Sequence, residues 1–295
     1  MATVYKEVWT GELVKAINTA ESGSFLETIP DSSQYAENDA IHLVDVGIEP
    51  DVLINNTTYP IPIQDLPDAD IIIKLDKFGT KTTPITDDEL YALSYDKIAS
   101  VKERHGTAIA KSKYAKALHA IPPAAHTAET PVIKTTGPVV GGRKTLLPAD
   151  VIALKKAYND MGIDENLILV LCTDHVNDLL AADQKFKDQY YNYTTGALMN
   201  MYGFVIYTHV ACPVYTSAGA KGSLGSLPTS TNFRASVSYY KPFVFKATGS
   251  TKMYYSKAET DTDYQRNKIN FTHRFIAMPK KSKAMGAIMS DIPTP

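Results

Sequence analysis

The sequence predicts an α+β protein, and three observations carry that reading. A long capped helix follows a strand-rich acidic front. A compact helix–strand–helix–strand block occupies the middle of the chain. The remainder returns to strands in which apolar and polar residues alternate. At 295 residues the chain can bury one large core or two modest ones. Its 44% hydrophobic and 21% charged residues exclude global disorder.

Residues 1–40 carry little periodicity. Val8-Trp9, Leu13-Val14 and Ile17 suit a short amphipathic turn, and ESGSFLETIPDSSQYAEND reads as an extended polar arm. The acidic start has no apolar segment, so a secretory signal is not expected. Cys172 and Cys212 are too few for a disulfide framework and suit a reducing compartment. Leu167–Cys172 is an apolar run of six residues where a membrane span needs ~20. A soluble protein made inside the cell is the expectation.

Residues 41–85 change texture to short strands and turns. Ile41–Val46 reads as a strand closed by Gly47, and Asp51–Ile54 as another closed by Asn55-Asn56. The prolines of Tyr59–Ile63 confine it to an edge or a segment outside any ladder. Asp70–Asp76 places Ile71, Ile73 and Leu75 on one face. Together these pieces make a long hairpin-like excursion with too few apolar residues for its own core. A lone hairpin is marginal in water, so this one is expected to rest on something else.

Thr86-Asp-Asp-Glu89 has the form of a capping box, with acids on the positive end of the helix dipole. Leu90, Leu93, Ile98, Val101, Ala108, Ile109 and Leu118 keep a helical stripe until Pro122-Pro123. The expected helix is ~30 residues, on the order of 45 Å. Lys102, Arg104, Lys111, Lys113 and Lys116 crowd its second half, and they read first as a solvated basic face.

Residues 124–146 show no periodicity and read as a flexible connector. They contain Gly137–Thr145, GPVVGGRKT, which imitates a phosphate-binding loop. There, Gly, four residues, then Gly-Lys-Ser/Thr let backbone N–H groups ring the phosphates. Here Arg143 displaces Lys144-Thr145 by one position, and no apolar strand leads into the glycines. The match is rejected.

Pro148 opens a helix through Tyr158 that presents Val151, Leu154 and Tyr158, with Gly162 as its stop. Leu167–Cys172 reads as a strand buried on both faces. Thr173 or Asp174 caps a further helix bearing Val176, Leu179 and Leu180, and Gly203–Tyr207 is another buried strand. Thr216–Ser230, rich in small residues, reads as a flexible loop. In the tail, Phe233, Ala235 and Val237 alternate, as do Phe243 and Phe245. Ile269, Phe271, His273, Phe275 and Ala277 alternate over Asn270, Thr272 and Arg274.

No chemical constellation emerges. Cys172-Thr-Asp-His175 offers two metal ligands where zinc needs three or four, so it reads as a buried thiol and imidazole. A nucleophile elbow is missing. Tyr191, Tyr193, Tyr239-Tyr240 and Tyr254-Tyr255 read as packing or interface residues, and Asp261 and Asp263 as solvated. No catalytic, cofactor-binding or metal residue is expected.

The net charge of −2 hides an asymmetry. Residues 1–90 hold 5 Lys/Arg against 17 Asp/Glu, a net of −12, and the rest holds 25 against 15, a net of +10. Such a split suits a front half that lies on the back half of a neighbouring copy. Glu37, Asp39, Asp45, Asp51, Lys74, Lys77, Lys102, Arg104 and Arg274 are the candidates for those contacts.

This order of elements resembles the major capsid (coat) proteins of tailed double-stranded-DNA bacteriophages, whose fold encapsulins and the herpesvirus capsid floor share. ITDDELYALSYDKIASVKERHGTAIAKSKYAKAL is similar to their long spine helix. SKAETDTDYQRNKINFTHRFIAMPKKSKAMGAI resembles their returning strands. The resemblance implies an arm (1–40), an extended loop (41–85), a spine helix and connector (86–147), an axial domain (148–232) and returning strands (233–295). It further implies hexamers and pentamers in an icosahedral shell around double-stranded DNA, without a cofactor or a membrane, in a virion assembled in the bacterial cytoplasm. A separate scaffolding protein, a portal and a decoration protein are the implied partners. It also brings Lys74, Lys77 and Lys81 near a region where some relatives cross-link, with no partner assigned. An encapsulin-like compartment, an α/β nucleotide-binding enzyme and a DNA-binding module using Lys102–Lys116 are the alternatives.

Overall fold

The computed structural model describes residues 11–14, 17, 24–37, 40–45, 69–86, 97–182, 184–195, 197–261 and 263–293. In chain order its main elements are β1 (Ala40–Asp45), β2 (Ala69–Lys74), β3 (Asp76–Gly79), β4 (Thr83–Thr86), α1 (Lys97–Ala120), β5 (Val132–Lys134), α2 (Pro148–Asp160), β6 (Leu167–Leu171), α3 (Thr173–Ala182), α4 (Gln184–Tyr190), β7 (Phe204–Thr208), β8 (Ser236–Tyr240), β9 (Val244–Ser256), β10 (Arg266–Pro279) and β11 (Met285–Met289).

One mixed sheet has the order β7-β6-β8-β11-β5. Its β6–β7 and β5–β11 pairs are parallel, and β8 runs antiparallel to both its neighbours. All five residues of β6 are buried, as an unbroken apolar run demands. The pleat sends Leu167, Leu169 and Leu171 to one side, against Val151, Leu154 and Tyr158 of α2, Leu179 and Phe186. Ile168 and Val170 face the other way, against Ala110, Tyr114, Ala117 and Leu118 of α1. The result is a helix–sheet–helix sandwich.

A second sheet is built on the long β9–β10 hairpin, with β3 and β4 sharing the outer edge of β10. The predicted alternation holds here: Ile269, Phe271, His273, Phe275 and Ala277 are buried, and Asn270, Thr272 and Arg274 are half-buried. The first half of α1 lies on this sheet, where Val101 and Ile109 meet Ile269, Phe271, Met253 and Ile85. One helix of 24 residues, on the order of 36 Å, therefore spans both cores. Its described start is Lys97. Leu90, Leu93 and the capping partner Glu89 lie outside the described residues, while Thr86 ends β4 opposite Arg266. Ala108, placed by the sequence on the apolar stripe, is exposed.

Two strand expectations need correction. β7 is an edge strand with Val205 exposed, rather than buried throughout. In β8 both faces are buried, so Ser236 and Ser238 are as inaccessible as Val237. The hydroxyls find partners: Ser238 Oγ lies 2.9 Å from the Tyr158 hydroxyl, and the backbone N–H of Cys172 donates to Ser236 Oγ at 3.1 Å. The final helix expectation shifts by one position, since Thr173 is the first helical residue of α3.

Candidate assembly site

The excursion is a real hairpin at its root. β1 and β2 pair antiparallel, with Ile41 opposite Ile73 and Lys74 opposite Ala40. Its foothold is small: Ile41 and Leu75 are buried against Phe245, Ala247 and Ile276. Ile72, on the other face, is 61% exposed. The predicted strand at Asp51–Ile54 and the proline segment Tyr59–Ile63 lie outside the described residues, as do Asp39 and Asp51. Glu37 sits opposite Ala40 and Asp45 opposite Ala69 in their ladders.

The basic candidates fall into two groups. Lys77 is exposed on β3 and stands directly opposite half-buried Arg274 on β10. Nearby, a groove of about 450 Å³ runs between β3–β4 and α1, lined by Phe78, Lys81, Thr83, Arg104, His105 and Ala108. Arg104 is exposed there, and burial lowers the pKa of His105, whose Nε2 lies 3.0 Å from Thr83 Oγ1. Lys74 is exposed on β2.

Lys102 belongs elsewhere. It is buried and ion-paired with Glu12 of the same chain, beside Leu13 and Ile17, which are buried with it. Residues of the acidic arm thus lie on their own basic helix rather than on a neighbour's. Lys113 is likewise only 1% exposed, its Nζ 4.1 Å from the Phe275 ring centroid. Lys116 reaches Asp76 at 3.6 Å. The solvated-face expectation therefore fails for Lys102 and Lys113. Sequence periodicity missed them because long aliphatic stems can be buried while the charge finds a partner.

GPVVGGRKT is an ordered hairpin, neither a phosphate cradle nor a loose connector. Val139-Val140 pair with Arg143-Lys144, and Gly141 and Gly142 turn the chain with φ of 61° and 80°. Two consecutive positive φ values are what a two-residue turn of this kind requires of glycine. A Cβ at Gly137 would collide with Thr145. Arg143 donates to both carboxylate oxygens of Asp178, at 2.6 and 2.9 Å, and this hydrogen-bonded partner raises its pKa. The backbone N–H groups of Gly137 and Thr145 donate to Thr145 O and Pro138 O, each at 3.0 Å, and that of Lys144 to Asp291 O at 2.8 Å, so these three serve the protein's own structure rather than a phosphate.

His175 is fully buried with Nδ1 2.7 Å from Ser236 Oγ and Nε2 3.1 Å from Ser290 Oγ. Burial pushes its pKa down to about 4 and that of Cys172 up to about 11. Among the described residues no group of three or more His, Cys, Asp or Glu can hold a metal. Tyr239 is buried, whereas Tyr193 and Tyr254 are exposed. Asp261 departs from the solvated expectation, since its carboxylate pairs with Arg266 at 3.1 Å and Lys268 at 2.6 Å.

Among the described residues the geometry offers surfaces and a hairpin with a small foothold. A sequence profile of the phage capsid protein family matches residues 68–289, and the chain belongs to that family. It is a major capsid protein, a subunit of the viral shell. Its fold is similar to the capsid of Ralstonia phage GP4 (10% identity, TM-score 0.63, covering 91% of this chain and 88% of that one). The capsid of the cyanophage P-SCSP1u is comparable (14% identity, TM-score 0.60, 90% and 88%). So is the capsid of a native GTA particle (10% identity, TM-score 0.64, 90% and 89%). No curated protein matches the chain. Among the described residues, no helix is long and apolar enough to cross a membrane. The family does not favour the encapsulin-like or nucleotide-binding alternatives.

Proposed function

We propose that the chain assembles as hexamers and pentamers into the icosahedral shell that encloses the double-stranded DNA of a tailed bacteriophage. It acts by packing rather than by turnover, and it uses no cofactor. The observation that carries this reading is the excursion: two strands with a foothold of two buried residues, on a chain of the phage capsid family. A hairpin so lightly rooted gains by lying on another copy, and obligate interfaces of ~2,000–5,000 Å² are usual for such assemblies. The acidic segment around Asp45 and Asp51 is the acidic side of that contact, and Lys74, Lys77, Arg104 and Arg274 are the cations that receive it on the neighbouring copy. A scaffolding protein, a portal and a decoration protein complete the particle, which forms in the host cytoplasm. The arm, extended loop, peripheral and axial domains of the sequence reading describe how the parts divide this work.

Negative-stain electron microscopy with size exclusion of the purified chain tests the proposal. Hollow shells or five- and six-membered rings are expected, with the chain alone or with its scaffold added. A monomer under both conditions, thermally stabilised by nucleotide, contradicts it.

A further inference from the structure

A second surface of the molecule remains after assembly contacts and internal ion pairs are accounted for. Two segments carry the chain between its sheets, Tyr240–Val244 leaving β8 and Pro279–Ala284 leaving β10. Between them they bring Lys241, Lys280, Lys281 and Lys283 to one corner. The corner is rigid. Tyr240 N–H donates to Ala284 O at 3.0 Å, Lys280 N–H to Phe243 O at 2.7 Å, and Lys241 N–H to Asn166 O at 3.0 Å. Phe243 forms its floor: the Nζ atoms of Lys281 and Lys283 lie 5.4 and 5.9 Å from its ring centroid, and Tyr240 meets it edge-on at 4.9 Å.

These four ammonium groups have no carboxylate within ion-pair distance among the described residues. Glu129, whose carbonyl accepts from Ala284 N–H at 2.9 Å, and Glu165, next to Asn166, come near in space but pair with none of them, and Asp164 is committed to Lys155 at 2.8 Å. Lys280 and Lys283 are exposed, and Lys241 and Lys281 are half-buried. Four unneutralised cations on a fixed frame are electrostatically unfavourable alone and attract a polyanion.

The geometry points to a phosphate-backbone contact: Lys241, Lys280, Lys281 and Lys283 bind duplex DNA without regard to sequence. This rests on the reading of a shell that encloses a double-stranded genome. An acidic protein segment is the competing occupant, and the surface argues against it. The cores of protein interfaces are depleted of lysine, and here the apolar floor is already covered by two lysine side chains. Duplex DNA needs no groove, because binding draws on counterion release by lysines that stay hydrated.

The test titrates the full unassembled chain with a 30-bp mixed-sequence duplex at several salt concentrations, by fluorescence anisotropy. Contact with about four phosphates gives a slope of log K against log[salt] of about −3 to −4. The K281Q/K283Q variant is expected to flatten that slope by about 2. K156Q, at an exposed helical ion pair, is expected to leave it unchanged. All three proteins should melt together, which separates loss of binding from loss of fold. No duplex binding at low salt, or an unchanged slope in the double variant, overturns the inference. So does tighter binding of a peptide of residues 45–70 at this corner. Shell formation is read separately by microscopy, so either reading can fail alone.

Discussion

Two strands of this chain, β6 and β1, are both mostly apolar and have opposite situations. β6 lies in mid-sheet with every residue buried, between α1 on one side and α2 on the other. β1 stands at the root of an excursion, with Ile41 buried and His42 exposed. The first is completed entirely by its own chain. The second has a foothold of Leu75, Phe245, Ala247 and Ile276. Burial on two faces needs two covering layers in the same subunit, whereas a one-faced hairpin leaves a face for another molecule. On the proposed assembly, the difference separates a part that folds before the shell forms from a part that the shell completes.

Truncating the self-sufficient region should have the largest effect. L169A removes a fully buried side chain from the larger core and is expected to cost about 3–5 kcal/mol in denaturant unfolding of the unassembled chain. I41A, also fully buried but in a cluster of five core residues, should cost about 2–3 kcal/mol and impair shell yield more than its stability loss explains. Equal losses of stability and yield in both variants would break the comparison.

R143A falls between those two, at about 3–4 kcal/mol, because it leaves Asp178 buried without its bidentate partner. The loss should appear as unfolding of the β6 sandwich, since Asp178 also accepts from the N–H of Leu146 at 3.0 Å.

Acid should then separate the two regions. His175 has its pKa lowered from 6.5 to about 4 by burial, so the folded state keeps it neutral where the unfolded chain binds a proton. Its stability contribution is present above pH 6.5 and is lost as pH falls toward 4, on the order of 3 kcal/mol in total. Asp178, Arg143 and the hydroxyls of Ser236 and Ser290 surround it. His273 follows the same direction in the second sheet, where its Nε2 has no hydrogen-bond partner among the described residues. Thermal melts across that window should fall steeply in the wild type and less steeply in H175Q. The smallest effect is expected at Lys156–Asp160, an exposed pair four residues apart. There, K156A should change stability by no more than about 0.5 kcal/mol.

The legibility of the sequence follows the same division. Unbroken apolar runs and strict alternation have one physical solution each, so β6, α2 and the buried face of β10 were readable directly. What was hidden depends on partners distant in the chain. Ser236 and Ser238 look like exposed positions until His175 and Tyr158 arrive to bond them. Lys102 reads as solvated until Glu12 folds back on it. The Gly141-Gly142 turn carried a local signal, Val-Val-Gly-Gly-Arg-Lys, but its strands are two residues long and invite a loop assignment. Of the candidate contact residues, Lys77 and Arg104 are exposed and Arg274 half-buried, whereas Lys102 is buried on Glu12 of its own chain. The chain's own structure decides which cations remain for a neighbour.

The most direct test of this account is amide hydrogen exchange on assembled shells against the unassembled chain. Slow exchange of Leu167–Leu171 in both states is expected, with protection of Ala40–Asp45 and Ala69–Lys74 rising at least tenfold on assembly. Equal protection of the excursion strands in both states would contradict it, and would mean that the hairpin is completed by its own subunit.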